Sequence, residues 1–253
     1  MTRMIVRAIT VDFWGTLLFD PPSSDDRYKA RRIRGFETIL TGAGVRTSMA
    51  ALDRAYEASA SHLGRIWATH RDVPVEEHVR AIIGGIDRGL ATRLPADLLA
   101  SLVDAYVRPI LMVPPAVDDG AVKALRTLTE LGYALAIVSN TMRTPGVMLR
   151  RVLERYGLLG YFAHEAFSDE TGVRKPDPAI FLGALRAIGV EPAHAIHVGD
   201  DPVLDVEGAH AAGMRVVQVT ALPADAPPAR RPDAVVPSLI ALPDAIEHLD
   251  PTD

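Results

Sequence analysis

The chain has 253 residues, of which 48% are hydrophobic and 23% are charged, and its formal net charge at pH 7 is −5. This composition is typical of a globular protein with a full hydrophobic core, and it lacks the basic surface that would indicate nucleic acid or anionic membranes as partners. The absence of cysteine excludes disulfides, thiolate metal ligands and a cysteine nucleophile. We find neither a signal-peptide pattern nor an apolar run near the ~20 residues that span a bilayer, so we expect a cytoplasmic protein.

The first predicted element is a buried strand, because Met4 to Val11 form a short, apolar and β-branched run. The polar turn DFWGT follows this strand, and the Pro/Ser/Asp-rich break FDPPSSDD follows the turn. From Asp25 to about Met112, helical periodicity replaces the strand-like runs. This segment therefore predicts a block of about four helices.

Helices and strands alternate after a second linker, MVPPAVDDG. The predicted strands are YALAIVSN, HEAFS, AIHVG, RVVQV and AVV; the predicted helices are AVKALRTLTELG, GVMLRRVLERYGLLGYF, DPAIFLGALRAIG, LDVEGAHAAG and a C-terminal helix. Such alternation indicates a parallel sheet covered on both faces. Because the first strand precedes the helical block, we predict a doubly wound α/β core from residues 1–18 and 113–253, with an inserted, mainly helical cap domain from residues 19–112.

Polar residues follow several of the predicted strands, at the edge where ligands of open parallel sheets collect. They are Asp12, Gly15 and Thr16 after the first strand, Ser139 and Asn140 in VSN, Lys175 in RKPDP, and Asp200 and Asp205 in GDDPVLDVEGA. Each of these motifs alone is equally typical of a helix cap, a turn or a solvated loop. Their ordered occurrence along one chain is much harder to attribute to local structure, and it indicates a catalytic site.

With these motifs the chain resembles the haloacid dehalogenase superfamily, most of whose members are phosphohydrolases. The resemblance spans nearly the whole chain and is carried by VDFWGTL, IVSNT, RKPDP and HVGDDPVLDVEGAHAAGM. It implies a Rossmann-like core with a helical cap inserted after the first strand. It further implies that Asp12 is the nucleophile, Ser139 binds the phosphoryl group, Lys175 offsets charge, Asp200 holds Mg²⁺ and Asp205 supports the metal shell.

The chemistry of phosphate transfer supports these assignments. A carboxylate that attacks a phosphomonoester brings two anions together, so catalysis requires cations, and a lysine with Mg²⁺ is a sufficient pair. Mg²⁺ prefers oxygen ligands and suits two or three carboxylates. We also expect Thr16, Gly15 and Asn140 to bind the substrate: a hydroxyl can donate a hydrogen bond, and a glycine allows close backbone approach.

Trp14 departs from the phosphatase pattern, in which a second aspartate stands two places after the nucleophile as general acid and base. An indole N–H donates a hydrogen bond but does not usefully transfer a proton. General acid–base catalysis contributes roughly 10²–10⁴-fold, so its loss matters. The resemblance assigns the metal contact here to the backbone carbonyl, which Trp14 retains, and we also expect Trp14 to contact the substrate.

The dehalogenases of the superfamily offer an alternative, because they carry tyrosine where this chain has Trp14 and need no acid for a departing halide. They also need no metal, however, and Asp200 and Asp201 would repel the carboxylate of a haloacid. The helical block shows no clear arginine motif for that carboxylate. We therefore predict a Mg²⁺-dependent hydrolase of a small phosphomonoester that forms an aspartyl-phosphate; a 2-haloacid dehalogenase-like hydrolase and a non-catalytic binding protein remain alternatives.

Other residues of the helical block have two interpretations each. His62, His70 or His78 could replace the missing acid, although exposed or capping histidines are the more common explanation. Trp67 could line the substrate entrance or pack in the core. The segment RYKARRIR could hold an anionic substrate tail, but a solvated helix face is the favoured interpretation. The sequence determines neither the substrate nor the oligomeric state.

Overall fold

The structure, a computed structural model, describes residues 6–222 and 229–250. Its strands are β1 (Ala8–Val11), β2 (Leu18–Phe19), β3 (Ala116–Val117), β4 (Ala134–Ser139), β5 (Phe162–Phe167), β6 (Ala195–Gly199), β7 (Arg215–Val219) and β8 (Ala234–Val236). Six of them form a parallel sheet in the order β5–β4–β1–β6–β7–β8. This arrangement confirms the predicted α/β fold with a parallel sheet and places β1 at its centre.

The helices fall into two groups along the chain. Between β2 and β3 lie α1 (Ser24–Gly42), α2 (Met49–Trp67), α3 (Val75–Gly84), α4 (Leu90–Arg93), α5 (Ala96–Val107) and α6 (Pro109–Met112). After β3 come α7 (Ala121–Glu130), α8 (Gly146–Arg155), α9 (Ser168–Thr171), α10 (Pro178–Ala187), α11 (Gly208–Ala211) and α12 (Leu242–Leu249). Local capping sets some of the helix starts: α10 begins after Asp177, whose carboxylate accepts a hydrogen bond from the Ala179 N–H.

Helices cover both faces of the sheet. Successive side chains of a strand point to opposite faces, and in β1 the side chains on both faces are buried. On one face, Ile9 and Val11 of β1 belong to a hydrophobic cluster that includes residues of α7, α8 and α12. On the other face, Ala8 of β1 belongs to a second cluster that includes residues of α10 and α11. The two clusters hold β1 rigidly between layers of helices, so the residues that follow it have a fixed starting point.

Two predicted helices differ from the observed elements. The helix predicted to reach Phe162 ends at Arg155, because the chain turns at Gly157 with φ = 66° and then enters β5. The helix predicted on LDVEGAHAAG is a π-helix over Pro202–Glu207 before it becomes α-helical at Gly208. Met4 and Ile5 of the first predicted strand, and residues 223–228 of the proline-rich loop, lie outside the described residues.

The helical block and the sheet share a hydrophobic core. The cluster that contains Val11 also contains Leu40 of α1 and Leu52 of α2. The division into a core of residues 1–18 and 113–253 and a cap of residues 19–112 therefore stays a prediction. In the described ranges, no helix combines the length and the apolar character needed to cross a membrane.

Candidate active site

Asp12 occupies the carboxyl end of the central strand, directly after Val11. Its backbone N–H donates to the Val198 carbonyl oxygen of β6 over 2.8 Å, which extends the pairing of β1 with β6 by one residue. The turn that follows is closed by a hydrogen bond of 2.9 Å from the Gly15 N–H to the Leu18 carbonyl oxygen. The Asp12 side chain is therefore fixed at the sheet edge, where only 5% of the residue is exposed.

Lys175 lies between two carboxylates. Its Nζ is 2.6 Å from Oδ1 of Asp12 and 2.6 Å from Oδ1 of Asp205. The side chain of Asn140 positions this lysine, because its Oδ1 accepts from the Lys175 N–H (2.9 Å) and its Nδ2 donates to the Lys175 carbonyl oxygen (3.1 Å). The amide of Asn140 is thus engaged with Lys175, and its predicted contact with substrate stays a prediction.

Asp205 is held as an ionised carboxylate. Its Oδ1 accepts from His197 Nε2 over 2.9 Å, and its Oδ2 accepts from the Asp201 N–H over 3.0 Å. Burial raises the pKa of Asp205, but the neighbouring Lys175 and His197 more than offset this effect and keep that pKa below its usual range. Burial lowers the pKa of His197, which makes it a neutral donor to Asp205.

Asp200 packs against the turn that carries Gly15 and Thr16. The Thr16 hydroxyl donates to Oδ1 of Asp200 over 3.3 Å. Gly15 has φ = 75°, and a Cβ there would lie 2.4 Å from Oδ2 of Asp200, so only glycine fits. Burial and then the charge of Asp205 raise the pKa of Asp200 to about 6. The hydroxyl and the glycine thus both contact Asp200, while their predicted roles toward substrate stay predictions.

The acidic cluster has the chemistry of a magnesium site. Oxygen atoms of Asp12, Asp200 and Asp205 lie within 4.8 Å of one another. When all three carboxylates are ionised, their negative charge exceeds the one positive charge of Lys175, which contacts Asp12 and Asp205. Burial, together with the charges of Asp205 and Asp200, raises the pKa of Asp12 to about 8 against the opposing effect of Lys175. A hard divalent cation such as Mg²⁺ prefers oxygen ligands of this kind, and its positive charge would offset the negative charge of the carboxylates.

Two buried polar atoms near the cluster have no hydrogen-bond partner among the described residues: Oγ of Ser139 and Nε1 of Trp14. Buried donors of this kind usually find a partner, and a ligand can supply one. Ser139 ends β4, next to β1, where the sequence predicts a phosphoryl-binding hydroxyl. The Trp14 ring packs edge-on against Phe13, with ring centroids 4.8 Å apart.

A cavity of about 740 Å³ joins the sheet edge to helices α1 and α2. Its wall includes most of the predicted site residues: Asp12, Trp14, Gly15, Asn140, Lys175, Asp200 and Asp205. Thr16 and Ser139 are fully buried and are not part of the wall. Trp67 is half-buried, lines the cavity and donates from Nε1 to the Asp72 carboxylate over 2.9 Å, and neither hydrophobic cluster of the described residues includes it, so its position favours the first of the two interpretations.

The predicted solvated face of RYKARRIR is wrong at Arg32. This side chain is only 3% exposed and lines the cavity. A helical spacing of four residues relates Arg32 to Tyr28 and Phe36, which are also buried, and this is the sequence signal that could have identified it. Arg143, three residues after Asn140, also lines the cavity and was not identified from the sequence.

The three histidines considered as substitutes for the general acid do not line the cavity. His62 and His70 are exposed, and His78 is buried. Burial lowers the pKa of His78 to about 4, and its Nδ1 lies 3.3 Å from the hydroxyl of Tyr106. The structure therefore gives no support to the hypothesis that one of these histidines donates the proton.

Comparison with known proteins identifies the family of the chain. A model of haloacid dehalogenase-like hydrolases matches residues 6–213. The chain is 36% identical over 115 residues to a glyceraldehyde 3-phosphate phosphatase of Methanopyrus kandleri, covering 46% of this chain and 45% of that protein. It is 43% identical over 88 residues to a phosphoserine phosphatase of Thermus thermophilus, covering 35% and 34%. The matches thus span half or less of these two relatives.

The fold has a close counterpart among solved structures. A 2-haloacid dehalogenase from Pseudomonas syringae pv. Tomato superposes with a TM-score of 0.68 at 24% identity, over 97% of this chain and all of that one. At this identity the likeness establishes the fold alone. The family match over residues 6–213 and the shared fold lead to one conclusion: the chain belongs to the haloacid dehalogenase-like hydrolases.

Proposed function

We propose that this chain hydrolyses a small phosphomonoester in a Mg²⁺-dependent reaction that passes through an aspartyl-phosphate on Asp12. The observation that carries the proposal is the cluster of three carboxylates at the edge of the sheet, two of them buried and in contact with Lys175 and the third, Asp200, half-buried. The named activities of two relatives make glyceraldehyde 3-phosphate and phosphoserine the first substrates to test.

In the first step, a carboxylate oxygen of Asp12 attacks the phosphorus atom, and the bond from phosphorus to the leaving oxygen breaks. Lys175, held beside Asp12, offsets the charge of the phosphoryl oxygens, and the hydroxyl of Ser139 donates to one of them. In the second step, water attacks the phosphorus atom, releases phosphate and restores the Asp12 carboxylate.

The proposed metal ligands are carboxylate oxygens of Asp12 and Asp200 and the backbone carbonyl of Trp14, with Asp205 completing the metal shell. Mg²⁺, when bound, supplies positive charge opposite the phosphoryl oxygens. Asp205 also fixes Lys175, through the contact of 2.6 Å between its Oδ1 and Nζ. We propose residues 19–112 as a cap domain, whose residues complete the cavity wall and exclude water when a substrate is bound.

Removal of the metal is expected to stop phosphate release. EDTA should abolish activity, and added Mg²⁺ should restore it. Asp200→Ala should raise the Mg²⁺ concentration for half-maximal activity at least about tenfold, because the cluster loses one carboxylate ligand. Asp97→Ala, at an exposed position of α5, is the matched control and should behave as wild type. Phosphate release that persists in EDTA would contradict the metal-dependent mechanism.

A dehalogenase-like hydrolase is the second candidate, and one observation favours it. The buried Arg32 lines the cavity together with Trp14, so an arginine that could receive a haloacid carboxylate is present after all. Metal-independent halide release from 2-haloacids, measured beside phosphate release, would establish this candidate. Tight binding of a ligand or protein without turnover of either substrate class would favour a non-catalytic role.

Trp14 is expected to limit turnover of substrates with poor leaving groups. An alkyl phosphate leaves as a strongly basic alkoxide unless an acid protonates it, and the indole cannot do so. The kcat/KM of the wild type should therefore fall steeply as the leaving-group pKa rises, with aryl and acyl phosphates favoured. Trp14→Asp should flatten this dependence and recover up to roughly 10²–10⁴-fold on alkyl phosphates.

Trp14→Phe is the matched control, because it removes the indole without adding an acid and should keep the steep dependence. The melting temperature of each variant must be measured as well, since loss of the indole ring can leave a void beside Phe13. A flat dependence in the wild type would show that another group supplies the proton.

A further inference from the structure

Two arginine side chains, Arg32 and Arg143, line the same cavity as the acidic cluster. Arg32 of α1 donates from Nε to the Tyr106 carbonyl oxygen (2.8 Å) and from Nη1 to the Tyr56 hydroxyl (2.9 Å). Its Nη2 donates to the Arg143 carbonyl oxygen (3.0 Å) and the Thr144 hydroxyl (3.4 Å). These bonds connect α1 to the loop after β4 and bring two positive charges into one region of the cavity.

The groups that accept hydrogen bonds from Arg32 and Arg143 are all uncharged carbonyl oxygens or hydroxyls. Nη1 of Arg143 donates to the hydroxyls of Ser59 and Tyr106, each over 3.2 Å. Its guanidinium lies over the ring of Tyr56, 4.2 Å from the centroid, as that of Arg32 lies over Tyr106 at 4.4 Å. No described residue accepts a hydrogen bond from Nε of Arg143, which leaves this N–H available to a ligand.

Neither guanidinium has a carboxylate within 4.0 Å in the described part of the chain. Another buried arginine shows the usual solution: Arg174 contacts Asp72 over 2.6 Å. Of the acids that line the same cavity, Glu57 pairs with Lys29, and Asp20 accepts a hydrogen bond from the Tyr28 hydroxyl. A buried charge is costly unless an opposite charge or a full set of hydrogen bonds compensates it. Neutral acceptors meet each nitrogen of Arg32, whereas Nε of Arg143 has none among the described residues, so an anion beside Arg143 would complete its hydrogen bonds and offset the charge of both arginines.

We propose that Arg32 and Arg143 bind a second anionic group of the substrate. This inference rests on the proposed phosphatase function: the substrate is then a phosphomonoester that carries a further carboxylate or phosphate. The Nε–H of Arg143 can donate a charge-assisted hydrogen bond to either anion, and the positive charge of Arg32 adds to the attraction. One end of the molecule reaches Asp12, and the other end reaches the arginines across the same cavity.

A pair of substrates that differ in one charge tests this subsite. The wild type should hydrolyse 3-carboxyphenyl phosphate with about a tenfold higher kcat/KM than 3-carbamoylphenyl phosphate. The reason is that a hydrogen bond from an arginine to a carboxylate is roughly twice as strong as one to a neutral amide. Arg143→Gln should bring this ratio close to one, while Arg143→Lys should retain part of it. Arg54→Gln, an exposed position of α2, should leave the ratio unchanged. A 1,3-phenylene bisphosphate substrate distinguishes a phosphate from a carboxylate preference.

Binding of phosphonates separates this inference from the proposed function. Calorimetry with Mg²⁺ present should give at least about a tenfold lower Kd for 3-phosphonobenzoate than for 3-phosphonobenzamide, and Arg143→Gln should remove the difference. Such binding without turnover of any phosphate ester would refute the phosphatase and retain the subsite. Turnover with equal kcat/KM for both esters would refute the subsite and retain the phosphatase. Equal losses on both esters in Arg143→Gln would show that the arginine only braces α1, α2 and α5.

Discussion

Asp12→Asn is expected to lower kcat/KM by at least about a thousandfold, because an amide cannot serve as the attacking nucleophile. The fold should remain intact, since asparagine has the same shape and Asp12 contributes no buried apolar surface. Burial and the charges of Asp205 and Asp200 act against an ionised Asp12, as its raised pKa shows. Without Mg²⁺, the melting temperature of the variant at pH 9 should therefore equal or exceed that of the wild type.

Circular dichroism and the melting temperature establish that the variant is folded, and mass spectrometry excludes deamidation back to aspartate. Asp97→Asn, at an exposed position, is the control for the substitution itself and should keep full activity. Retention of more than a few per cent of the wild-type rate would mean that Asp12 is not the nucleophile.

Lys175→Met is expected to cost both activity and stability. The variant leaves the carboxylates of Asp12 and Asp205 buried without the ammonium that contacts each of them over 2.6 Å. Breaking a buried pair by removal of one partner typically costs about 3–5 kcal/mol, and methionine supplies no compensating charge. We expect a loss of this size in the free energy of unfolding at pH 8, together with loss of turnover.

Urea unfolding measures the stability change, with Lys123→Met as the matched control. Lys123 is exposed on α7, so its substitution should change the free energy of unfolding by less than about 0.5 kcal/mol. If Lys175→Met were as stable as the wild type, the two carboxylates would not depend on Lys175, and its proposed electrostatic role would be wrong.

The sheet and the acidic cluster could be predicted because they follow from short-range patterns. AIHVG, RVVQV and AVV form strands over the predicted residues, since their sequences are rich in β-branched, apolar residues; the first two are largely buried, whereas AVV forms the partly exposed edge strand. Carboxyl ends of parallel strands meet at one edge, so residues such as Asp12 and Lys175 come together although 163 positions separate them, from 12 to 175.

The arginine pair could not be predicted in this way, because its environment depends on distant segments. The partners of Arg32 include Tyr106 and Arg143, which lie 74 and 111 positions away. Sequence periodicity shows which face of α1 is apolar, but it does not show that neutral acceptors from α2, α5 and the loop after β4 converge on that face. The π-helix at Pro202–Glu207 also escapes prediction from periodicity, because its start depends on a hydrogen bond from the Asp201 N–H to the Asp205 carboxylate.

The antiparallel pairing of β2 with β3 has a mechanical consequence. Leu18 pairs with Val117 and Phe19 with Ala116, so the two chain segments that connect α1–α6 to the sheet are fastened side by side. A rotation of the helical block relative to the sheet would have to bend both strands together. We therefore expect the block to rotate about essentially one axis. β2 begins at residue 18, only six positions after Asp12. Such a rotation would therefore also bend the turn that contains Trp14. We therefore expect any opening of the cavity to shift the Asp12 carboxylate as well.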